Sequence, residues 1–257
     1  MSEILLDWHD DAAVVTINRP DERNALGSPQ LDELTLRLQE ASERTSISAL
    51  IITGTGTFCA GGDLKALQRV ADGRSATPST YNAAHRMIRT LLDVPVPTIA
   101  AVDGAAVGLG MDLALACDSR LVGTNGWMRQ GWARYGAIPA TGGLVFLERL
   151  APGVVWRLLD GQPKVDGALA QSLGIGEAVD GPALDAALVR ARHYAEIPGP
   201  ALHQYVRMLR EPVIAVLTER LATYAEVQAS LFNGGVFGER VAEALERRPS
   251  RDGSEPS

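Results

Sequence analysis

The stretch Phe58-Cys-Ala-Gly-Gly-Asp-Leu-Lys65 joins a predicted strand to a predicted helix. The preceding segment Ala49-Leu-Ile-Ile-Thr53 is apolar and β-branched, which is typical of a buried strand. A helix is predicted to begin near Asp63 or Leu64. Glycines let the main chain approach a ligand, and the unpaired N–H groups of a helix start suit a phosphate, a carboxylate or an enolate oxygen. Taken alone, the stretch is better explained as an ordinary tight turn capped by Asp63.

A second unit of the same kind follows. Pro97-Thr-Ile-Ala-Ala-Val102 is predicted to be a buried strand, residues 103–110 a second glycine turn, and Met111 to Ala116 a helix. The unit therefore occurs twice, at 49–68 and at 97–117. Strands that alternate with helices predict an α/β fold with parallel strand pairing.

The rest of the chain is predicted to be a hairpin, a loop and a series of helices. A β-hairpin is predicted at 4–18, turning at Asp10-Asp11, and Ser28-Pro29 is predicted to cap a helix. Residues 70–80 are expected to form a mobile loop. Further helices are predicted at 81–92, 142–150, 153–160, 166–173, 183–196, 200–210, 212–232 and 234–248. The expected organisation is an α/β core at 1–200, a helical region at 201–248 and a disordered tail at 249–257.

Composition excludes several classes of protein. The 257 residues are 46% hydrophobic and 21% charged, as in a folded domain. The net charge of −7 and the lack of a basic stripe disfavour nucleic-acid binding. Two cysteines, Cys59 and Cys117, suggest a reducing compartment. No signal peptide is expected at the start, and the apolar region 96–117 is too interrupted for a membrane span, so a cytoplasmic protein is expected.

The two glycine turns suggest one shared anion site. The second turn lacks the third glycine of a dinucleotide-binding motif, because Asp112-Leu113 follows Gly108 and Gly110. Each turn can instead contribute one main-chain N–H group, and two convergent N–H groups form an oxyanion hole.

Four motifs in register carry a resemblance to a known family. They are Asn18-Arg-Pro with Asn24-Ala-Leu26, then Phe58 to Leu64, then Pro97 to Gly104 with Gly108-Leu-Gly110, and finally Ile138-Pro-Ala-Thr-Gly-Gly143. In these motifs the chain resembles the crotonase superfamily, the enoyl-CoA hydratase/isomerase family, strongly over residues 3–180 and weakly beyond.

The resemblance implies a spiral of ββα units with a C-terminal helical trimerisation region, assembled as a homotrimer or homohexamer. It implies an acyl-CoA substrate, no metal and no permanently bound cofactor, since coenzyme A enters as part of the substrate. The oxyanion donors would be the N–H groups of Gly62 and Leu109, the second of which replaces the family's usual glycine. Coenzyme A would contact the residues Arg23, Ala25, Ala60, Asp63 and Lys65. For Arg23 and Lys65, a plain surface charge is the alternative.

The resemblance also implies a departure in the catalytic equipment. Hydratases of the family use two glutamates, and Asp112 and Trp132 stand at those positions here, with Ala140 at a third position that some members fill with aspartate. Asp112 is predicted to transfer protons, although an aspartate in the first turn of a helix is also stabilised by the helix dipole alone. Trp132 is expected to form an apolar wall or simply to pack in the core. His85 could supply a missing acid or base.

Two function classes therefore compete. The first is an acyl-CoA enzyme that stabilises a thioester enolate, with isomerisation, decarboxylation or carbon–carbon cleavage favoured over hydration because Trp132 replaces a carboxylate. The second is an acyl-CoA-binding protein that has lost catalysis. RNA binding is disfavoured by the net charge.

Overall fold

The computed structural model describes residues 2–73 and 77–247. Within them the strands are Ile4–His9 (β1), Ala12–Ile17 (β2), Ala49–Gly54 (β3), Thr98–Val102 (β4), Ala105–Val107 (β5), Ser119–Val122 (β6), Trp127–Arg129 (β7), Val165–Asp166 (β8) and Glu177–Ala178 (β9). The helices are Ser28–Glu43 (α1), Leu64–Ala71 (α2), Thr77–Asp93 (α3), Leu109–Ala116 (α4), Gly143–Leu150 (α5), Val154–Leu159 (α6), Gly167–Ser172 (α7), Ala183–Ala195 (α8), Gly199–Asn233 (α9) and Val236–Glu246 (α10). Single 3₁₀ turns are Pro20–Glu22 and Trp132–Tyr135.

Two sheets organise the described chain. The larger has the order β1-β2-β3-β4-β6-β9, in which β1 is antiparallel to β2 and the other neighbours are parallel. The smaller has the order β5-β7-β8, with β5 parallel to β7. The predicted hairpin and the predicted mixed α/β class with parallel pairing are confirmed.

Helices cover both faces of the large sheet. Alternate residues of the central strands point to opposite sides: Leu50 and Ile52 pack in the main core, which includes the apolar stripe of α1. Ala49 and Ile51 face the other side, where small side chains let α8 lie close: Ala183, Ala187 and Ala191. Because both faces are buried, these strands are continuous apolar runs rather than alternating ones.

Several predicted boundaries are wrong. The N-cap of α1 is Gly27, not Ser28, and its N–H donates to Gln30 Oε1 at 3.0 Å. The second glycine turn contains the short strand β5, and α4 begins at Leu109, two residues before the predicted start. The strand β5 was missed because its main-chain hydrogen bonds come from β7, which lies about 20 residues later in the sequence.

The predicted loop at 70–80 is also partly wrong. Helix α2 extends to Ala71, and residues 77–80 belong to α3. Residues 74–76 of that loop, and the predicted tail at 249–257, lie outside the described residues. The division of the chain at residue 200 remains a prediction. No helix within the described ranges is long and apolar enough to cross a membrane.

A single long helix replaces the two predicted at 200–210 and 212–232. Helix α9 continues through Pro212, although proline removes one intrahelical donor. Its buried face runs on both sides of the proline, through Val206, Arg210, Val213 and Leu217. Packing against the core therefore holds the two halves of the helix in line.

The fully buried Arg210 fastens α9 to the sheet. Its guanidinium donates to the main-chain carbonyls of Leu92, Val94 and Val96 and pairs with the Asp118 carboxylate. Burial raises the pKa of Asp118, but the hydrogen bond and charge of Arg210 outweigh burial, and the pKa lies below its ordinary value. One side chain thus donates hydrogen bonds to several acceptors that α9 would otherwise bury without a partner.

We expect Arg210→Ala to lower the free energy of unfolding by about 3 kcal/mol, because it leaves a carboxylate and several carbonyls without their donor. Arg207→Ala is the matched control, since Arg207 is exposed on the same helix, and it is expected to cost about 0.5 kcal/mol or less. Urea unfolding of both variants is the measurement. Equal costs for the two variants would show that Arg210 does not anchor the helix.

Candidate active site

The first glycine turn ends in a capped helix. Gly61 has φ +106°, in the region that favours glycine. The Asp63 carboxylate accepts hydrogen bonds from the N–H groups of Lys65 at 2.9 Å and Ala66 at 3.1 Å. The Asp63 side chain therefore caps α2, as the ordinary-turn interpretation expected.

The polar loop before α1 holds this turn in place. Leu26 N–H donates to the Gly61 carbonyl at 2.9 Å, and Asp63 N–H donates to the Leu26 carbonyl at 3.0 Å. The buried Asn24 donates its amide to the Thr57 carbonyl at 2.5 Å. The Asn24-Ala-Leu26 motif thus positions the main chain of residues 61–63.

The two glycine turns contact each other through main-chain hydrogen bonds and through the Thr57 hydroxyl, which accepts from the Ala105 N–H at 2.7 Å. Cys59 N–H donates to the Ala105 carbonyl at 2.8 Å, and Val107 N–H donates to the Cys59 carbonyl at 2.9 Å. A Cβ atom at Gly110 would lie 2.2 Å from the Cys59 oxygen, and one at Gly61 would lie 2.7 Å from the Val107 oxygen. Only residues without a side chain permit this approach.

This contact brings two unused N–H groups to one cleft. Across residues 2–73 and 77–247, the N–H groups of Gly62 and Leu109 have no hydrogen-bond acceptor. Leu109 is the first residue of α4, where the N–H groups of a helix have no intrahelical partner. Both residues line the same cleft, with a volume of about 290 Å³.

The cleft collects most of the predicted site residues. Of these, it is lined by Arg23, Ala60, Gly62, Leu109 and Trp132. Sequence reasoning did not single out other lining residues, which include Thr57, Trp127, Arg129 and Phe237. The described lining has arginines and no carboxylate, although the chain has a net charge of −7. Its positive charge suits an anionic ligand.

Three predicted coenzyme A contacts lie outside the cleft. Ala25 is buried, and its carbonyl accepts from the Arg19 guanidinium. Lys65 is exposed, with its Nζ 3.7 Å from a Glu22 carboxylate oxygen. Asp63 borders a smaller neighbouring cavity of about 30 Å³, and its carbonyl already accepts from Leu67 N–H at 2.9 Å.

Asp112 is completely buried and held by two donors. Its Oδ2 accepts from the Trp132 indole N–H at 3.0 Å and from the Thr141 hydroxyl at 2.5 Å. Its Oδ1 has no partner in the described chain. Burial raises the pKa of Asp112 to about 7, against the opposing effect of the two hydrogen bonds. Asp112 does not line the cleft, but Trp132 does.

Trp132 connects the cleft to the Asp112 carboxyl. It begins the 3₁₀ turn 132–135 and lines both the cleft and the smaller cavity. Thr141 lines the smaller cavity and is not among the residues that line the cleft in the described chain. Sequence reasoning did not identify Thr141 as functional, although the residue lies within the fourth motif, 138–143.

His85 does not reach the cleft. One ring nitrogen lies 2.9 Å from the Ala140 carbonyl oxygen, and burial lowers the pKa of the imidazole. His85 instead lines a separate cavity of about 390 Å³ between α3 and α9. Arg134 and Tyr135, by contrast, lie in the wall of the cleft.

Comparisons with known proteins converge on one family. Residues 9–250 match the family model described as enoyl-CoA hydratase/isomerase. A Rhodobacter capsulatus protein named "Probable enoyl-CoA hydratase" is 32% identical over 245 residues, covering 92% of each chain. Human enoyl-CoA hydratase domain-containing protein 2, mitochondrial, is 33% identical over 190 residues, 71% of this chain and 63% of its own. The structure of a Mycobacterium paratuberculosis enoyl-CoA hydratase/isomerase superposes with a TM-score of 0.87 at 22% identity, covering 94% of this chain and 98% of that one.

We expect Gly110→Ala to lower the free energy of unfolding by about 2 kcal/mol or more, because its Cβ would overlap the Cys59 carbonyl oxygen. The matched control is Gly199→Ala, where an added Cβ meets no atom within 4 Å; we expect it to change stability by about 0.5 kcal/mol or less. Denaturant unfolding is the measurement. If the two variants were equally stable, the close contact between the turns would be wrong.

Proposed function

The chain belongs to the enoyl-CoA hydratase/isomerase family, and we propose that it is an enzyme that moves a proton at the α-carbon of an acyl-CoA thioester. One observation carries this proposal. Two N–H groups without acceptors in the described chain, those of Gly62 and Leu109, border a single cleft.

In this proposal the thioester oxygen accepts from both N–H groups. When the α-carbon loses a proton, negative charge moves onto that oxygen and forms an enolate. The donors belong to main chain that is fixed by the contact between the turns, so they need no rearrangement as the charge develops. Apolar neighbours such as Leu67 and Trp132 limit water and strengthen both hydrogen bonds.

Coenzyme A would lie at the rim of the cleft. Its phosphates are anions, and Arg23, Arg129 and Arg134 line the cleft without a carboxylate partner in the described chain. We propose that the adenine contacts the main-chain carbonyls of Ala60 and Asp63. Ala25 supports the loop that carries Arg23, and the exposed Lys65 would leave its ion pair with Glu22 to reach a bound phosphate.

Asp112 is the proposed proton-transfer group. A pKa of about 7 lets one carboxyl both give and take a proton near neutral pH. Isomerisation of a double bond moves one proton between two carbons, so one such group suffices. Hydration also needs a base for water, and Trp132 stands where the resemblance implies the second carboxylate. Decarboxylation and carbon–carbon cleavage likewise need only one proton-transfer group.

A second candidate is an acyl-CoA-binding protein without turnover. The observation that favours it is the position of Asp112, which is outside the cleft lining and hydrogen-bonded to Trp132. Both candidates use the same N–H groups to hold the thioester.

The two candidates differ in turnover. We expect 3-enoyl-CoA to develop conjugated-thioester absorbance with the protein, 2-enoyl-CoA to lose little absorbance to hydration, and Asp112→Asn to slow turnover by about 100-fold or more. The matched control is Asp185→Asn, in the first turn of α8 as Asp112 is in α4, and its rate is expected to equal that of the wild type. A panel that adds malonyl-type thioesters tests decarboxylation.

Binding without turnover on the whole panel would favour the second candidate. Turnover by Asp112→Asn within a few-fold of the wild-type rate would exclude Asp112 as the proton-transfer group. Rapid hydration of 2-enoyl-CoA would make the protein a hydratase despite Trp132.

We also propose a homotrimer or a homohexamer. Apolar side chains on α6 and α9 are exposed beside a groove of about 810 Å³, among them Trp156, which is 74% exposed, and Val216. Patches of this kind commonly mark contacts between subunits.

We expect sedimentation equilibrium to give three or six times the mass of one chain, and Trp156→Asp to lower it, because a buried charge opposes association. The matched control is Leu36→Asp, which alters an exposed apolar residue of α1, far from the groove in sequence and outside its lining. A monomeric wild type, or an assembly that Trp156→Asp leaves unchanged, would contradict this assignment.

A further inference from the structure

The two donors at Asp112 determine which of its oxygens can carry a proton. An indole N–H can only donate, so Trp132 requires a lone pair of Oδ2. Thr141 is also buried, and its hydroxyl has no other acceptor in the described chain, so it too donates to Oδ2. Oδ2 therefore has both lone pairs occupied, and the proton of the neutral acid belongs on Oδ1.

The surroundings of Oδ1 favour the neutral form. Oδ1 is buried without a partner in the described residues. A Cβ at Gly143 would lie 2.1 Å from it, so the glycine leaves room for this oxygen. Burying an unpaired O–H group costs less free energy than burying an unpaired anionic oxygen.

No neighbouring charge reverses this preference. The titratable and charged side chains on elements near α4 include His85 and the exposed Arg86, Arg89 and Asp93 on α3, and Glu148 and Arg149 on α5. Cys59 in the first turn and Arg134 and Tyr135 in the 3₁₀ turn are also nearby. His85 and Cys59 are kept neutral by burial, which lowers the pKa of the imidazole and raises that of the thiol to about 12. Glu148 and Arg149 are exposed to solvent. Only burial and the hydrogen bonds of Thr141 and Trp132 shift the pKa of Asp112.

We propose that Thr141 and Trp132 are positioning residues that hold Asp112 by Oδ2 and leave Oδ1 as the atom that holds the proton of the neutral acid. This inference rests on the proposed function. When the Oδ1–H bond breaks, the proton bonds to carbon through the electron pair of the enolate, and the carboxylate keeps the O–H electrons. The two donors to Oδ2 then stabilise the new negative charge. The enolate itself forms when the Asp112 carboxylate takes the α-proton of the same thioester, so in isomerisation Asp112 is a carboxylate again at the end of each turnover.

The test compares Thr141→Val, which removes the donor at nearly constant volume, with Thr141→Ser, which keeps it. Infrared spectroscopy follows the band of the protonated carboxyl as the pH changes, without any substrate. The part of this band that disappears in Asp112→Asn is assigned to Asp112. We expect the wild type to titrate with a pKa near 7. We expect Thr141→Val to raise that pKa by about one unit, because a donor to the charged form is lost, and Thr141→Ser to leave it unchanged.

Two further measurements separate the possible failures. Trp132→Phe removes the second donor and is also expected to raise the pKa, which provides a test if Thr141→Val does not fold. The pH profile of kcat/KM on the best acyl-CoA substrate is expected to move by the same amount as the infrared titration. If the infrared titration were unshifted in both Thr141→Val and Trp132→Phe, the proposed positioning of Asp112 by its Oδ2 would be wrong. Shifted titrations without turnover on any acyl-CoA would support that positioning and refute the proposed function.

Discussion

The site depends on the absence of side chains where two turns meet. Gly61 lies against the Val107 carbonyl and Gly110 lies against the Cys59 carbonyl. A Cβ atom at either glycine would overlap the carbonyl oxygen. The main-chain bonds between Cys59 and β5 then fix the two turns in one register. Both free N–H groups follow from this contact, since neither Gly62 nor Leu109 uses its side chain. A leucine can therefore stand where the family usually has glycine without loss of the donor.

The buried side chains beside the cleft differ from the pair of carboxylates that the resemblance implies for hydratases. Here one carboxyl, that of Asp112, accepts hydrogen bonds from a ring N–H and a hydroxyl. Two buried carboxylates at such distances would repel each other, whereas Trp132 and Asp112 attract. The substitution converts a pair of acids into a donor and an acceptor. Under the proposed function, this arrangement keeps both main-chain donors and favours reactions that need one proton-transfer group.

The sequence predicted the features that depend on residues close together in the chain. The strand at 49–53 and the glycine turn after it could be predicted because apolar runs and paired glycines act over a few residues. The motifs then predicted that Gly62 and Leu109 share a cleft. Strands of two or three residues, such as β8, carry no periodic signal and were missed. Helix α9 was split at Pro212 because packing across the proline is a tertiary effect.

The same limit applies to side chains that meet across the fold. The bond from Trp132 to Asp112 depends on how a 3₁₀ turn orients an indole, which no spacing rule gives. Thr141 lay in a recognised motif, but its hydroxyl partner is 29 residues away. His85 was on the predicted helix and points to a different cavity. Positions of main chain could be inferred, whereas contacts between side chains required coordinates.

The anchor at Arg210 has a consequence for the order of folding. Its carbonyl partners lie 114 to 118 residues earlier in the chain. Those carbonyls converge only after the end of α3 and the start of β4 have taken their places, so nothing can receive the guanidinium before then. Closing a loop of this length is entropically costly and slow. We therefore expect α9 to dock late in folding, after the end of α3 and the start of β4 are in place.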